Sequence, residues 1–155
     1  MKKVLIVFSI LFLISSCASF KEPEFEGING FNIKKIDGKI ISFSLQATVF
    51  NPNWFALKIK KSSVDVYLQE QYMGKLYLEN NLKIIPKTEN NLSVPLRMEL
   101  EDGALFSLIK YAKKETVNIR FKGKVRGGVF FVSKKFPVDE TQTISGKDLR
   151  IGLPK

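Results

Sequence analysis

Cys17 is the single thiol in a chain that contains no histidine. Together these two facts decide most of the side-chain chemistry available. A thiolate can attack carbon, sulfur or a metal ion, but a catalytic cysteine relies on a neighbouring base, and imidazole is the usual one. Histidine is also the commonest transition-metal ligand, so a zinc site or a nucleophile–base pair has no ordinary components here. Carboxylates remain. Glu99, Glu101 and Asp102 form the densest acidic group, but they lack the spacing of a calcium loop and read as a solvated strand end and helix start. We therefore expect no enzyme, no cofactor and no metal site. Without a second cysteine, Cys17 has no disulfide partner in the chain, which leaves its sulfur as a point of attachment.

The surrounding residues give that attachment a context. Lys2 and Lys3 precede an apolar run from Val4 to Ile14, interrupted only by Ser9 and followed by Ser15 and Ser16. The run is about half of the ~20 residues that a membrane-spanning helix needs, and has the length of a secretory h-region. Ile14-Ser15-Ser16-Cys17 resembles the lipobox of bacterial lipoproteins. That resemblance implies removal of residues 1–16, a diacylglycerol on the Cys17 sulfur and an amino terminus acylated as by palmitate. Two membrane signals already suffice for stable anchoring, and such a residue carries more. The expected location is the cell envelope, with the protein held to membrane lipid through Cys17. In a Gram-negative cell the outer membrane is favoured, because Ala18 and Ser19 follow the cysteine without an aspartate. A plain secretory signal cut near Ala18 and an uncleaved anchor helix are the alternatives.

Lysine and arginine number 25 against 15 acids, a net charge of +10. Residues 1–16 contain two of those lysines and no acid, so the remainder is still basic. Its cations, among them Lys58, Lys60, Lys134 and Lys135, alternate with apolar positions in the manner of polar strand faces. Attraction to anionic head groups, on the order of 1 kcal/mol per cation near such a surface, is the functional alternative. Residues 17–26 are short, polar and interrupted by Pro23, and read as a lipidated tether reaching at most ~30 Å. Residues 27–139 have the length of one domain, and 140–155 read as a C-terminal tail.

Within the domain, period-two alternation dominates. Phe43, Leu45, Ala47 and Val49 alternate with polar residues, as do Val64, Val66 and Leu68, then Leu92, Val94, Leu96, Met98 and Leu100, and then Val117, Ile119 and Phe121. Half-buried strands of this kind need a second layer over their apolar face, which predicts an all-β fold: an antiparallel, seven-stranded β-sandwich. Turns are expected at Asp37-Gly38, from Tyr72 to Gly74 and at Gly127-Gly128. Pro95 predicts an edge strand or a bulge, and the slip in apolar parity between Lys60 and Ser63 predicts another bulge. Leu105, Phe106, Leu108, Ile109 and Ala112 instead follow helical spacing. Acid before them and lysines after them predict one short amphipathic helix capping the open end of the sandwich, with insertion into a membrane as the sharper alternative.

Asn51-Pro52-Asn53 is the most distinctive triplet. Proline forces Asn51 to be extended and Asn53 tolerates the left-handed region, so the triplet reads as a sharp strand end. With its flanks, Leu45 through Ile59, it resembles the signature of the late embryogenesis abundant type 2 family, also called the water stress and hypersensitive response (WHy) domain. Val64 through Gly74, and Ile85-Pro86 followed by Val94-Pro95, extend the resemblance over roughly Phe25 to Val138. It implies a seven-stranded sandwich of fibronectin type III-like shape and an association with stress protection. It implies no catalytic residue, and Asn51, Pro52 and Asn53 enter as a fold signature only.

Arg126 through Val132 sets a cation beside two phenylalanines, as single-strand nucleic-acid binders do. Gly128 stands where an RNA-recognition motif needs an aromatic, and export is the wrong destination, so no nucleic acid is expected; the run reads as a hairpin with one buried aromatic row. The functional expectation is a membrane-anchored, non-enzymatic module that binds lipid or protein or protects against stress. The alternative is an accessory subunit docking on another envelope protein through a strand edge. Nothing in the sequence speaks to oligomeric state.

Overall fold

A computed structural model of the chain describes residues 20–146. Cys17 and the expected signal segment lie outside the described residues, as does the end of the expected tail. Eight strands and one helix follow in order: β1 Glu24–Asp37, β2 Ile40–Phe50, β3 Leu57–Leu68, β4 Gln71–Leu78, β5 Leu82–Ile84, β6 Glu89–Leu100, α1 Ala104–Tyr111, β7 Thr116–Val129 and β8 Val132–Ser145. All pairings are antiparallel. The strands form one continuous sheet in the order β1-β2-β6-β4-β3-β7-β8, with β5 beside the start of β3. Side chains from β2 and β6 meet side chains from β7 and β8 in a single core cluster, so the sheet curls and its two limbs face each other. The fold class is thus the expected antiparallel all-β one. The strand beyond the seven expected is β5, only three residues long and too short for an alternation to reveal it.

The register gives the molecule two distinct ends. At one end lie the β1–β2 turn at Gly38, the β3–β4 turn, α1 and the start of β7. At the other lie residues 20–23, the Asn51-Pro52-Asn53 loop, β5 and the β7–β8 turn. The helix end is built around Leu68, Met73, Leu100, Ala104 and Val117. The other end is built around Phe55, Leu57 and Ile84.

Several local features differ from the sequence expectation. Strand pairing begins at Glu24 and runs to Ser145, taking in the end of the expected tether and the start of the expected tail. The register of β1 slips at three places, which scrambles its alternation. The β3–β4 turn is Gln69-Glu70, both with positive φ. Gly74 lies inside β4, where an added Cβ would fall 2.0 Å from the Glu99 carbonyl oxygen. Gly127 and Gly128 lie within β7, and the turn that follows is Phe130-Phe131. β6 is an interior strand with unbroken register against β2. Its Pro95 carbonyl accepts from the Glu79 N–H, so the proline nitrogen also faces β4, just past the last paired residue Leu96. The missing donor therefore interrupts no ladder. The bulge expected between Lys60 and Ser63 is present in the β3–β7 pairing.

The helix caps its end of the sheet, but with another face. Ala104, Ser107 and Ala112 are buried and Leu108 and Tyr111 pack on the core, whereas Leu105, Phe106 and Ile109 face outward. Small residues let the helix approach closely, so of the large apolar ones that set the sequence periodicity only Leu108 turns inward. Among the described residues no helix is long and apolar enough to cross a membrane.

Candidate functional site

Asn51 directly follows β2 and is 0% exposed. Its Nδ2 donates to the carbonyls of Phe55, at 2.9 Å, and Ile84, at 3.2 Å. Its Oδ1 accepts from the backbone N–H and from Nδ2 of Asn53, both at 3.0 Å. A primary amide has two donor hydrogens and two acceptor lone pairs, so Asn51 is fully used. One side chain thereby closes its own loop and ties it to β5. Asn90 does the same for the following loop, accepting from the Ile85 N–H at 2.6 Å and donating to the carbonyls of Thr88, at 2.9 Å, and Ile85, at 3.1 Å. The sequence reading missed Asn90, although it shares the parity of Leu92 and Val94 and so falls on the inward face of β6.

Asn53 has a different use from the one expected. It is not among the described residues of positive φ, and its side chain carries the function instead. Nδ2 donates to the Lys21 carbonyl at 2.7 Å and Oδ1 accepts from the Lys21 N–H at 2.9 Å. The amide thus grips both backbone groups of one residue ahead of β1. The expected tether is fastened to the domain at Lys21.

Fastening places Phe20 and Pro23 over the inner face of β3, β7 and β8 and encloses an apolar cleft of about 290 Å³. Leu57, Ile59 and Ile84 form its floor, and Val129, Val132 and Phe136 its wall. Gly127 holds it open, since the position opposite Ile59 carries no side chain; a Cβ there would meet the Phe136 ring at 3.0 Å. Lys134 shares the inward face with Ile59 and Gly127, whereas Lys58, also in the lining, has the opposite parity in β3. The cleft is suited to an apolar group with an anionic end.

At the same end of the sheet, Trp54 packs edge-on against Phe55, with centroids 5.3 Å apart, and lies 5.8 Å from Phe130. Phe130 and Phe131 form the two-residue β7–β8 turn. Instead of one buried aromatic row, both rings are exposed.

The ionisable groups with perturbed affinities lie elsewhere. Glu99 hydrogen-bonds Arg97 and the Tyr77 hydroxyl, at 3.0 Å for the latter. Arg97, and then Tyr77, hold the Glu99 carboxyl below its ordinary range, and the same contact with Glu99 raises the Tyr77 hydroxyl. Arg120 clasps Asp139 through two nitrogens, at 2.6 and 2.8 Å, which lowers the Asp139 carboxyl. These are exposed structural pairs. Among the described residues no three histidine, cysteine or acidic side chains gather as a metal site.

Comparison with known proteins gives a consistent placement. Residues 46–142 match the model of the late embryogenesis abundant protein family, LEA_2. The chain is 26% identical over 149 residues to an uncharacterised protein of Methanocaldococcus jannaschii, spanning 92% of this chain and 82% of that one. A crystal structure of a protein from Archaeoglobus fulgidus superposes with a TM-score of 0.54 at 13% identity, covering 79% of this chain and 97% of the other. A solution structure from Arabidopsis thaliana gives 0.47 at 12% identity over 85% and 87%. At such identities the likeness is one of fold, and the first of the two structures carries it.

Proposed function

The chain belongs to the late embryogenesis abundant family, LEA_2, and on that premise we propose that it is a lipid-anchored, non-enzymatic module of the cell envelope that binds an acyl chain in its apolar cleft. The observation that carries this reading is the cleft itself. It is apolar, has lysines in its lining, and lies at the end from which the chain leads back toward Cys17. The anchor and the cleft then serve one purpose, since lipid reaches the cleft without crossing water. Family-associated stress protection fits the same device, as retention or shielding of membrane lipid.

Docking on another envelope protein by strand addition is the second reading. It is favoured by the two free edges, β1 and β8, of 14 residues each. Both edges carry features that oppose such pairing: the three register slips of β1, and Pro137 with Lys134 and Lys135 on β8. The cleft reading therefore stands first.

Its test is extraction and mass spectrometry of the purified protein, with displacement of a fluorescent fatty acid. We expect a bound lipid in the parent and none in Gly127→Leu, whose side chain enters the cleft, with both proteins folded by circular dichroism. An empty parent that also ignores the fluorescent fatty acid removes the cleft reading. Loss of acyl labelling in Cys17→Ser, with labelling in the parent, checks the anchor separately.

A further inference from the structure

We infer that the β7–β8 tip, together with Trp54, docks into the interfacial layer of an anionic lipid bilayer. Three independent features point there, beginning with the backbone. Phe130 holds φ at 52° in a two-residue hairpin turn, a conformation that glycine or asparagine adopts freely and a bulky side chain resists. A turn selected only to reverse the chain has no use for two phenylalanines. The second of them, Phe131, is 102% exposed, and Trp54, which packs against Phe130, is 62% exposed. Aromatic rings, tryptophan above all, are the side chains that settle at the boundary between head groups and acyl chains.

The second feature is charge. Lys60, Arg126 and Lys135 stand directly opposite one another across β3, β7 and β8. Like charges in such register destabilise a sheet, and here no acid relieves them: none occurs between Lys122 and Val138, and among the described residues none of the three makes an ion pair. An anionic surface supplies the missing countercharge. The pattern of apolar tip and basic shoulder is that of an interfacial anchor whose lysines keep their heads at the phosphate level.

The third feature is direction. Lys21 is clipped at this same end, and Cys17, four residues earlier, is at most ~14 Å of extended chain away. This step alone rests on the anchored reading. The outward face of α1, with Phe106, lies at the opposite end of the strands and cannot meet the same bilayer.

Trp54 is the chain's only tryptophan, so its emission reports the tip and nothing else. The full chain is reconstituted with vesicles of phosphatidylcholine, with or without phosphatidylglycerol, containing lipid brominated near the head-group end of the acyl chain. With phosphatidylglycerol we expect blue-shifted emission and strong quenching. Phe131→Glu should return both to their values in water, Arg126→Gln with Lys135→Gln should weaken quenching severalfold and make it insensitive to salt, and Phe106→Glu should change neither. Circular dichroism checks that each variant is folded, and the two variant sets act through different chemistry. A chain that sediments with vesicles while Trp54 stays unshifted overturns the docking and leaves the anchor standing. A chain that neither sediments nor shifts removes both. Equal quenching without phosphatidylglycerol overturns the role given to the basic row.

Discussion

The two ends of the curled sheet are closed by opposite means. At the helix end, Leu68, Met73 and Val117 are packed beneath α1, and several of the surrounding charges are paired: Lys39 with Asp102, Lys35 with Asp37 at 2.7 Å, and Arg120 with Asp139. At the other end, asparagine amides hold the loops, an apolar cleft is left unfilled, and cations stand without acids beside exposed rings. The helix end has a filled core and several internal ion pairs, even though Leu105, Phe106 and Ile109 face outward. The other has satisfied its buried amides and left its surface groups to find partners outside. An unfilled cleft and a row of like charges add nothing to stability, and on the proposed reading they are the features that meet a partner.

The sharpest way to break this contrast is to remove the amides. Asn51→Leu would orphan two buried carbonyls and the Asn53 N–H groups, and each lost partner costs about 1–3 kcal/mol. We expect a loss of about 3 kcal/mol or more in urea unfolding, a collapsed or widened cleft, and release of Lys21 seen as faster amide exchange there. A loss under 1 kcal/mol would show that the loops hold without their asparagines.

Acid should act on the other end. Arg120 lowers the Asp139 carboxyl and Arg97 lowers that of Glu99. A carboxyl depressed by folding contributes stability that is complete above its ordinary value, about 4, and lost as pH falls through the lowered one. Thermal melts from about pH 4 downward should therefore lose stability in the parent, and less in Arg120→Met. An equal loss in both would assign acid sensitivity to groups outside this pair.

The smallest effect is the most discriminating in sign. Arg126→Glu sets an acid between Lys60 and Lys135 and should stabilise the domain by about 0.5 kcal/mol, read from the urea midpoint. A stabilising substitution at a position that the native chain fills with arginine is what a surface kept for an external partner predicts. If Arg126→Glu destabilises, the basic row has a structural role instead.

The sequence disclosed these features unevenly, for physical reasons. Ile40–Phe50 was legible to the residue because alternation ends there at an asparagine and a proline, and the bulge near Lys60 was legible because it shifts parity. Glycine misled. At Gly74 and Gly127 it serves close approach within a strand, and in sequence that cannot be told from a turn. Only the β1–β2 turn has its expected glycine, Gly38, whereas the turns Gln69-Glu70 and Phe130-Phe131 carry no turn residue at all. The helix misled for the reverse reason: its buried contacts are made by Ala104 and Ser107, which carry little weight in any hydrophobic pattern. Of the site, Asn51-Pro52-Asn53 was visible as a signature but not as a network, because the partners of Asn51 and Asn53 lie on β5 and at Lys21. The cleft was invisible, since it depends on an absent side chain and on a leader folded back across it.

The grip of Asn53 on Lys21 also has a mechanical meaning. A pull arriving along the chain from upstream meets two hydrogen bonds side by side before it reaches Glu24, the first residue paired in β1. β1 lies at the sheet's edge and would otherwise be stripped from β2 one pair at a time. The clip moves the point of loading from that edge to a loop pinned by Asn51, so a tug on the leader is shared by the interior of the protein.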